Sequence, residues 1–161
     1  MKNTKGMIST IYQTLHAADL QELEGIYKKW ASDYDHDVVE LAGYVGHLIT
    51  SSLLLSKIKN KKAKILDAGC GTGLVGEILF ENNYKNVEGV DFSEEMLSVA
   101  NQKNIYQSLR LVDLTKKLDY EDNSFDAIVC AGTFTCGHVG PEALKEMLRI
   151  TKKAGYICFT V

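Results

Sequence analysis

The pattern of apolar and polar positions divides the chain into a helical part and a part in which short strands alternate with helices. Up to the basic cluster at 60–62, the apolar residues have helical spacing, which predicts helices over about 21–31 and 37–59. Beyond it, short apolar runs predict strands over 63–66, 87–90, 109–112, 125–130 and 156–161. We therefore expect a helical amino-terminal cap or lid over 1–62 and an α/β core over 63–161, which together form one structural domain.

Helical stretches separate the predicted strands and begin near Gly71, Ser93 and Pro141. Ser93 suits an N-cap, because Glu94 and Glu95 follow it in the first turn, where the helix dipole favours acids. Short strands joined by helices require right-handed crossovers, so we expect a doubly wound, mostly parallel, Rossmann-like sheet with helices on both faces. Ligands of such sheets bind outside the carboxyl ends of the strands, which makes the turn after the first strand the first place to look.

Composition and charge narrow the classes of function. The 161 residues carry 18 basic and 21 acidic side chains, a formal net charge of −3, so nucleic acid is an unlikely partner. The chain has no apolar run long enough for a membrane span, and its first ten residues lack the apolar run of a secretory signal. Its four cysteines lack the CxxC spacing of a zinc site, and its histidines form no ligand cluster. We therefore expect a cytoplasmic protein with reduced thiols and no metal site.

The turn after the first predicted strand contains two overlapping glycine patterns. Gly71-x-Gly73-x-x-Gly76 matches the dinucleotide fingerprint, whereas Gly69-x-Gly71-x-Gly73, preceded by Asp67, does not. A carboxylate here would face the pyrophosphate of a dinucleotide, a like-charge contact that costs about 1 to 4 kcal/mol. The same carboxylate suits the α-ammonium group of S-adenosylmethionine, which carries no phosphate. A third reading is that the glycines only pack the strand closely on the helix.

Acidic and apolar residues at the ends of the next two strands are compatible with an adenosine ligand. Asp91 lies twenty residues beyond Gly71, where a carboxylate can accept both ribose hydroxyls or, alternatively, cap a helix or remain solvated. Phe92 and Met96 could pack on an adenine ring, or Phe92 could belong to the core. Asp113 could accept the adenine amino group or cap its own loop.

These residues carry a family resemblance. The run Ile-Leu-Asp-Ala-Gly-Cys-Gly-Thr-Gly-Leu at 65–74 and the run Gly-Val-Asp-Phe-Ser-Glu-Glu-Met-Leu at 89–97 resemble the first two motifs of class I S-adenosylmethionine-dependent methyltransferases. Segments 124–129 and 148–156 resemble the motifs at strand four and before strand five of that family, and segment 27–38 narrows the likeness to a subgroup. The resemblance therefore covers the whole predicted core.

The resemblance implies a set of residues for the methyl donor. It assigns the methionine end to Asp67, Gly69, Cys70 and Gly71, and the ribose to Asp91. It also implies that an aromatic segment closes over the methionine end, although the spacing of these aromatics fits a helix face packed on the core equally well. The remaining donor contacts implied are Phe92, Met96, Asp113, Leu114 and Ala131, with Tyr27, Trp30 and Tyr34 as lid residues.

The chemistry implied is methyl transfer to an unidentified small molecule or protein by in-line displacement, which yields S-adenosylhomocysteine. Such a reaction depends chiefly on positioning, so a dedicated base is optional. His138, in the loop after strand four, is our candidate for accepting a proton, with a merely solvated histidine as the alternative. The signature of amino-adenine methyltransferases is absent from this loop.

The carboxyl-terminal end departs from the family pattern. The family fold continues with a helix and two strands, so we expect a sheet that lacks its last two strands and leaves strand five as an exposed edge. Such an edge favours self-association. It also motivates a second hypothesis, a non-catalytic module that binds S-adenosylmethionine or dimerises. A third, less favoured, is an NAD-dependent oxidoreductase.

Overall fold

Five parallel strands form the centre of the computed structural model, which describes residues 4–134 and 139–161. The strands are β1 (Ile65–Ala68), β2 (Val87–Asp91), β3 (Ser108–Leu111), β4 (Phe125–Cys130) and β5 (Thr151–Phe159). Their order is β3-β2-β1-β4-β5, and every pair of neighbours is parallel. The predicted doubly wound, Rossmann-like sheet is confirmed.

The described residues also form six α-helices and one π-helical segment. Ser93 caps the fifth helix, as predicted, by accepting a hydrogen bond from the Met96 amide. Asp19 caps the second helix by accepting one from the Glu22 amide, a cap that the sequence analysis did not single out. The helices are α1 (Thr4–Leu15), α2 (Leu20–Trp30), α3 (Gly46–Lys57), α4 (Leu74–Glu81), α5 (Glu94–Gln102) and α6 (Ala143–Ile150), and the π-helical segment is His36–Leu41.

Alternate residues of the strands enter two separate apolar layers. Ile65 of β1 packs on one face with Leu54 of α3 and Leu79 of α4, whereas Leu66 packs on the other with Met147 of α6 and Phe125. All four residues of β1 are buried, as expected for a central strand of a parallel sheet covered on both sides. Helix α3, which precedes residue 62, packs directly on the sheet. The division of the chain at residue 62 remains a prediction.

The predicted helix over 37–59 is wrong as one element. The π-helical segment ends at Leu41, the chain turns at Gly43 with a φ of 68°, and α3 begins at Gly46. Apolar spacing continues across the break, so the pattern conceals a turn that a glycine in the left-handed region permits. Leu48 and Ile49 on the outer face of α3 are exposed. The pattern also did not single out α1.

The structure shifts several predicted boundaries near the sheet. β1 begins and ends two residues later than predicted, so Asp67 lies within the strand. Helix α6 begins at Ala143, so Pro141 precedes it rather than forming its first residue. β5 begins at Thr151, directly after α6, and contains Ala154 with a φ of 63°. It forms one edge of the described sheet.

Candidate functional site

A cavity lies at the carboxyl ends of β1, β2 and β4, beneath α2. Strand order reverses between β1 and β4, so the cavity occupies the position where ligands bind in open α/β sheets. The structure brings together ten of the residues predicted for the methyl donor. They are Tyr27, Tyr34, Gly69, Gly71, Asp91, Phe92, Met96, Asp113, Leu114 and Ala131.

The glycine turn is held against β2 by backbone hydrogen bonds. The amides of Gly69 and Cys70 both donate to the Val90 carbonyl, at 2.8 and 2.9 Å. Gly69 has a φ of 73°, and a Cβ atom there would lie 2.2 Å from the Thr133 hydroxyl oxygen. The turn therefore requires glycine at position 69 for two reasons, a left-handed backbone and a close approach to the loop after β4.

Asp91 connects the turn, the start of α5 and the cavity. Its Oδ2 accepts a hydrogen bond from the Gly71 amide at 2.8 Å, and its Oδ1 accepts one from the Ser93 amide at 3.0 Å. Burial raises the pKa of this carboxyl, and the backbone donors oppose that rise. A carboxylate offers about four acceptor positions, so these two bonds leave capacity for a ligand's hydroxyl groups.

One end of the cavity is apolar and rimmed by a carboxylate. Phe92 is half-buried, while Met96 and Leu114 are buried, and all three line this end. Asp113 accepts hydrogen bonds from the Thr115 amide at 2.9 Å and from the Thr115 hydroxyl. Partial burial raises the pKa of Asp113, but these bonds and the ion pair with Lys116 outweigh it and hold the pKa below its ordinary value. Asp113 thus caps its loop and also faces the cavity.

Asp67 does not line the cavity, in contrast to its predicted place facing a ligand. Its Oδ2 accepts a hydrogen bond from the Tyr106 hydroxyl at 2.6 Å, and the side chain is buried. Its Oδ1 has no hydrogen-bond partner among the described residues. The carboxyl therefore belongs to a layer beneath the turn, where its partner is a tyrosine that the sequence analysis did not single out.

Tyr106 explains the glycines that resemble a dinucleotide fingerprint. A Cβ atom at Gly76 would lie 2.3 Å from the Tyr106 hydroxyl oxygen, and one at Gly73 would lie 3.2 Å from its ring. These glycines make room for the Tyr106 ring, which packs against the apolar core beneath the turn and does not line the cavity. The fingerprint pattern therefore has a packing explanation that needs no dinucleotide, which is the third of the predicted alternatives.

The buried position of Asp67 predicts a pH dependence of stability. Burial raises the pKa of Asp67 from 3.8 to about 7, so between these values the folded state holds a proton that the unfolded state has released. The stabilising contribution is full below about pH 4 and is lost as the pH rises through about 7. Between pH 4.5 and 7.5, we expect the free energy of unfolding of Asp67→Asn to rise by about 3 kcal/mol relative to that of the wild type. Urea unfolding of both proteins at each pH measures this change. If the free energies of unfolding of the two proteins changed with pH in parallel, the raised pKa of Asp67 would be contradicted.

The three predicted lid aromatics occupy different positions. Tyr27 and Tyr34 line the cavity, whereas Trp30 is buried and does not. The Trp30 indole donates a hydrogen bond to Asp37 Oδ2 at 2.8 Å, which ties α2 to the π-helical segment. Tyr27 contacts Phe92 edge to face, with ring centroids 5.9 Å apart. Of the two predicted roles, the lid thus fits the tyrosines and core packing fits the tryptophan.

Cys70, a further predicted residue, does not contribute its side chain to the cavity. Cys70 is buried, and its sulfur lies 3.0 Å from where a Cβ atom on Gly89 would be. Burial raises the pKa of Cys70, so its thiol is inert packing. His138, the candidate base, lies outside the described residues.

Within the part of the chain that the structure describes, no cluster of three or more metal-ligating side chains occurs. No helix among those residues has the length and apolarity needed to cross a membrane.

The sequence analysis missed other residues that line the cavity. Loop residues after β3 and β4 contribute, and the position directly after a parallel strand is the signal that could have identified them. Residues of α2 gave no such signal, because their distance from the strands depends on how the helix packs. The missed residues are Leu20, Leu23, Val112, Thr115, Gly132, Thr133 and Val139.

Comparison with known proteins identifies the family. The model of the family described as "Methyltransferase domain" matches residues 66–159, which include the glycine turn and all five strands except the start of β1. The chain belongs to the class I S-adenosylmethionine-dependent methyltransferases. The resemblance seen in the motifs is thereby confirmed.

Two curated methyltransferases show how far the similarity extends. The chain is 35% identical over 145 residues to human methyltransferase-like protein 27, covering 88% of the chain and 58% of that protein. It is 32% identical over 151 residues to the ubiquinone/menaquinone biosynthesis C-methyltransferase of Bdellovibrio bacteriovorus, covering 88% and 62%. This methyltransferase chain therefore spans about three-fifths of the length of these relatives.

Solved structures agree with the fold of this methyltransferase. An S-adenosylmethionine-dependent methyltransferase from Thermotoga maritima has a TM-score of 0.63 at 25% identity, covering 83% of this chain and 58% of that one. One from Aquifex aeolicus has a TM-score of 0.51 at 26% identity, covering 63% and 58%. These structures thus share the Rossmann-like fold over most of this chain.

Proposed function

We propose that the chain binds S-adenosylmethionine in the cavity and transfers its methyl group to a small-molecule or protein acceptor. The observation that carries this proposal is Asp91, a buried carboxylate that lines the cavity and is bonded to the Gly71 amide of the glycine turn. A ribose with two adjacent hydroxyls is the ligand group that suits such a carboxylate. Membership of the methyltransferase family supports the methyl donor as this adenosine ligand.

The other lining residues suit the rest of this donor. We assign the methionine end to Gly69 and Gly71, where open backbone permits close approach, and the adenine to the apolar end with Asp113 at its rim. Tyr27 and Tyr34 cover the site, and Ala131 lines it after β4. This assignment uses the side chains that the structure brings together.

Asp67 retains one link to the donor. Its Oδ1 is buried and accepts no hydrogen bond from the described residues, an arrangement that costs free energy unless a donor group is supplied. The α-ammonium group of the methionine end, acting through a water molecule, is a donor of the right chemistry. Asp67 is therefore proposed as a supporting acceptor beneath the turn, outside the cavity wall.

When bound, the sulfonium of the donor supplies a methyl carbon that is already activated toward a nucleophile. The residues of the chain then orient it and exclude water. Burial raises the pKa of both Tyr27 and Tyr34, so their phenols remain neutral and do not compete as nucleophiles. The acceptor side of the reaction, including the predicted role of His138, stays a prediction.

A transfer assay separates an enzyme from a non-catalytic module. The full chain is incubated with methyl-labelled S-adenosylmethionine and fractionated cell extract, with the Asp91→Asn variant as the control. Label in an extract component with the wild type, and none with the variant, supports the proposed function. Donor binding by calorimetry without any labelled product would instead support the non-catalytic module, and absence of both would contradict each hypothesis.

A further inference from the structure

The cavity is covered by α2 and the residues that follow it up to Asp35, here called the roof. The roof contributes Tyr27 and Tyr34 to the cavity lining. Two of its side-chain contacts with the core lie on the α5 side: the Tyr27–Phe92 ring pair and the ion pair of Lys28 with Glu95 at 3.0 Å. The Lys28 side chain is 69% exposed, so this ion pair contributes little.

A less exposed charged cluster joins the other end of the roof to the core. Lys103, at the end of α5, donates to Asp35 Oδ2 at 2.8 Å and to Glu77 Oε2 at 2.7 Å, and its side chain is only 18% exposed. The hydroxyl of Thr72 donates to Asp35 Oδ1. We call Asp35, Thr72, Glu77 and Lys103 the latch.

The charges of the latch depend on Lys103. Burial lowers its pKa, but the hydrogen bonds from Nζ to Asp35 and Glu77 outweigh burial and raise the pKa above its ordinary value. Among the described residues, His47 also interacts with both carboxylates and Tyr34 with Asp35; burial lowers the pKa of His47 and raises that of Tyr34, which favours the neutral form of each. The ammonium of Lys103 is therefore the positive charge that holds two carboxylates of different elements together.

The latch connects the roof of the cavity to the glycine turn on its opposite side. Asp35 directly follows Tyr34 in the roof, and Thr72 lies between Gly71 and Gly73 in the glycine turn. The Asp35 carboxylate, next to Tyr34 in the roof, therefore holds Thr72, next to Gly71 in the glycine turn. Losing the charge of Lys103 would leave Asp35 and Glu77 without their shared cation, with the Thr72 hydroxyl as the hydrogen bond that still joins Asp35 to the glycine turn.

We propose that Lys103 and Asp35 are positioning residues of the donor site, which hold the roof closed over the cavity and set how often it opens. Their part in donor binding rests on the proposed function, whereas the closure of the roof does not. Because Lys103 touches neither the cavity nor any group assigned to the donor, its effect passes through Asp35.

Hydrogen exchange without any ligand tests the closure. In Lys103→Gln, we expect the amides of α2 and of residues 31–41 to exchange about tenfold faster than in the wild type. Lys28→Gln is the matched control, since it removes the same charge from an exposed pair on the same roof, and its exchange should stay within about twofold. Lys103→Arg keeps a cation able to bond both carboxylates and should restore slow exchange.

Binding kinetics separate positioning from general loss of stability. Trp30, the chain's single tryptophan, lies in the roof and provides a fluorescence signal for stopped-flow mixing with S-adenosylhomocysteine. A looser roof should raise both the association and the dissociation rate constants in Lys103→Gln, each by about fivefold or more, and change Kd less than either. A merely destabilised protein would instead bind more weakly with no faster association.

The outcomes are decisive in each arm. Unchanged roof exchange in Lys103→Gln, or faster exchange confined to α5, overturns the proposal, as does failure of Lys103→Arg to restore it. If the wild type gives no signal with S-adenosylhomocysteine by fluorescence or calorimetry, the proposed function fails, while the exchange comparison still decides whether the latch closes the roof.

Discussion

Asp91→Asn is expected to weaken the binding of S-adenosylhomocysteine by about 100-fold, because it removes a charged acceptor that serves both ligand and protein. The wild-type carboxylate accepts hydrogen bonds from the Gly71 and Ser93 amides and faces the cavity. An asparagine keeps one acceptor oxygen and presents an NH₂ group where a second acceptor is needed. Titration calorimetry measures the change, and circular dichroism checks that the variant remains folded.

Asp113→Asn is the matched control for this prediction. Asp113 also lines the cavity, but its carboxylate is engaged with Thr115 and Lys116, and its proposed contact is one adenine amino group. We expect a loss of affinity below about tenfold. Equal effects of the two substitutions would contradict the special role of Asp91 and would indicate a nonspecific effect of charge.

Gly69→Ala is expected to reduce the free energy of unfolding by about 3 kcal/mol, the largest loss expected from a single methyl group in the site. A left-handed backbone costs a non-glycine residue about 1 to 2 kcal/mol, and the added Cβ would also clash with Thr133. Gly71→Ala is the matched comparison: its φ is 53°, but no atom lies within 4 Å of the added Cβ. Gly71→Ala should therefore reduce the free energy of unfolding only by the cost of the left-handed backbone, about 1 to 2 kcal/mol.

Urea unfolding of the two alanine variants measures this difference. The double variant Gly69→Ala/Thr133→Ala should recover about 1 kcal/mol, because it removes the hydroxyl and methyl groups nearest to the new Cβ. Equal losses for Gly69→Ala and Gly71→Ala would show that Thr133 moves aside freely. In that case the close approach between the turn and the β4 loop would not be a requirement of the fold.

The sequence predicted the parts of the structure that local rules determine. Apolar runs located every strand to within a few residues, apart from the early start of β5, and Ser93 marked the start of α5. Most of the residues expected at the cavity come directly after strands, and parallel topology alone brings such positions to one edge of the sheet. The family motifs lie in this same region.

Features that depend on side-chain packing could not be predicted in this way. Spacing did not distinguish Trp30, which faces inward to Asp37, from Tyr27, which faces the cavity. The turn at Gly43 was hidden because apolar spacing continues through it. The orientation of Asp67 toward Tyr106 depends on a contact across 39 positions of the chain, for which no local pattern gives a signal.

The structure gives the glycines that match the dinucleotide fingerprint a packing role. The sequence placed the charge of Asp67 opposite the ligand, whereas the structure places it beneath the turn, with Tyr106 filling the start of α4. Gly73 and Gly76 therefore approach a packed side chain, and the carboxylate presented to the cavity is that of Asp91.

Titration calorimetry of the full wild-type chain with S-adenosylhomocysteine, and separately with NAD, tests the central claim most directly. We predict saturable binding of one S-adenosylhomocysteine per chain and no heat of binding with NAD. Saturable binding of NAD, with none of S-adenosylhomocysteine, would contradict the account.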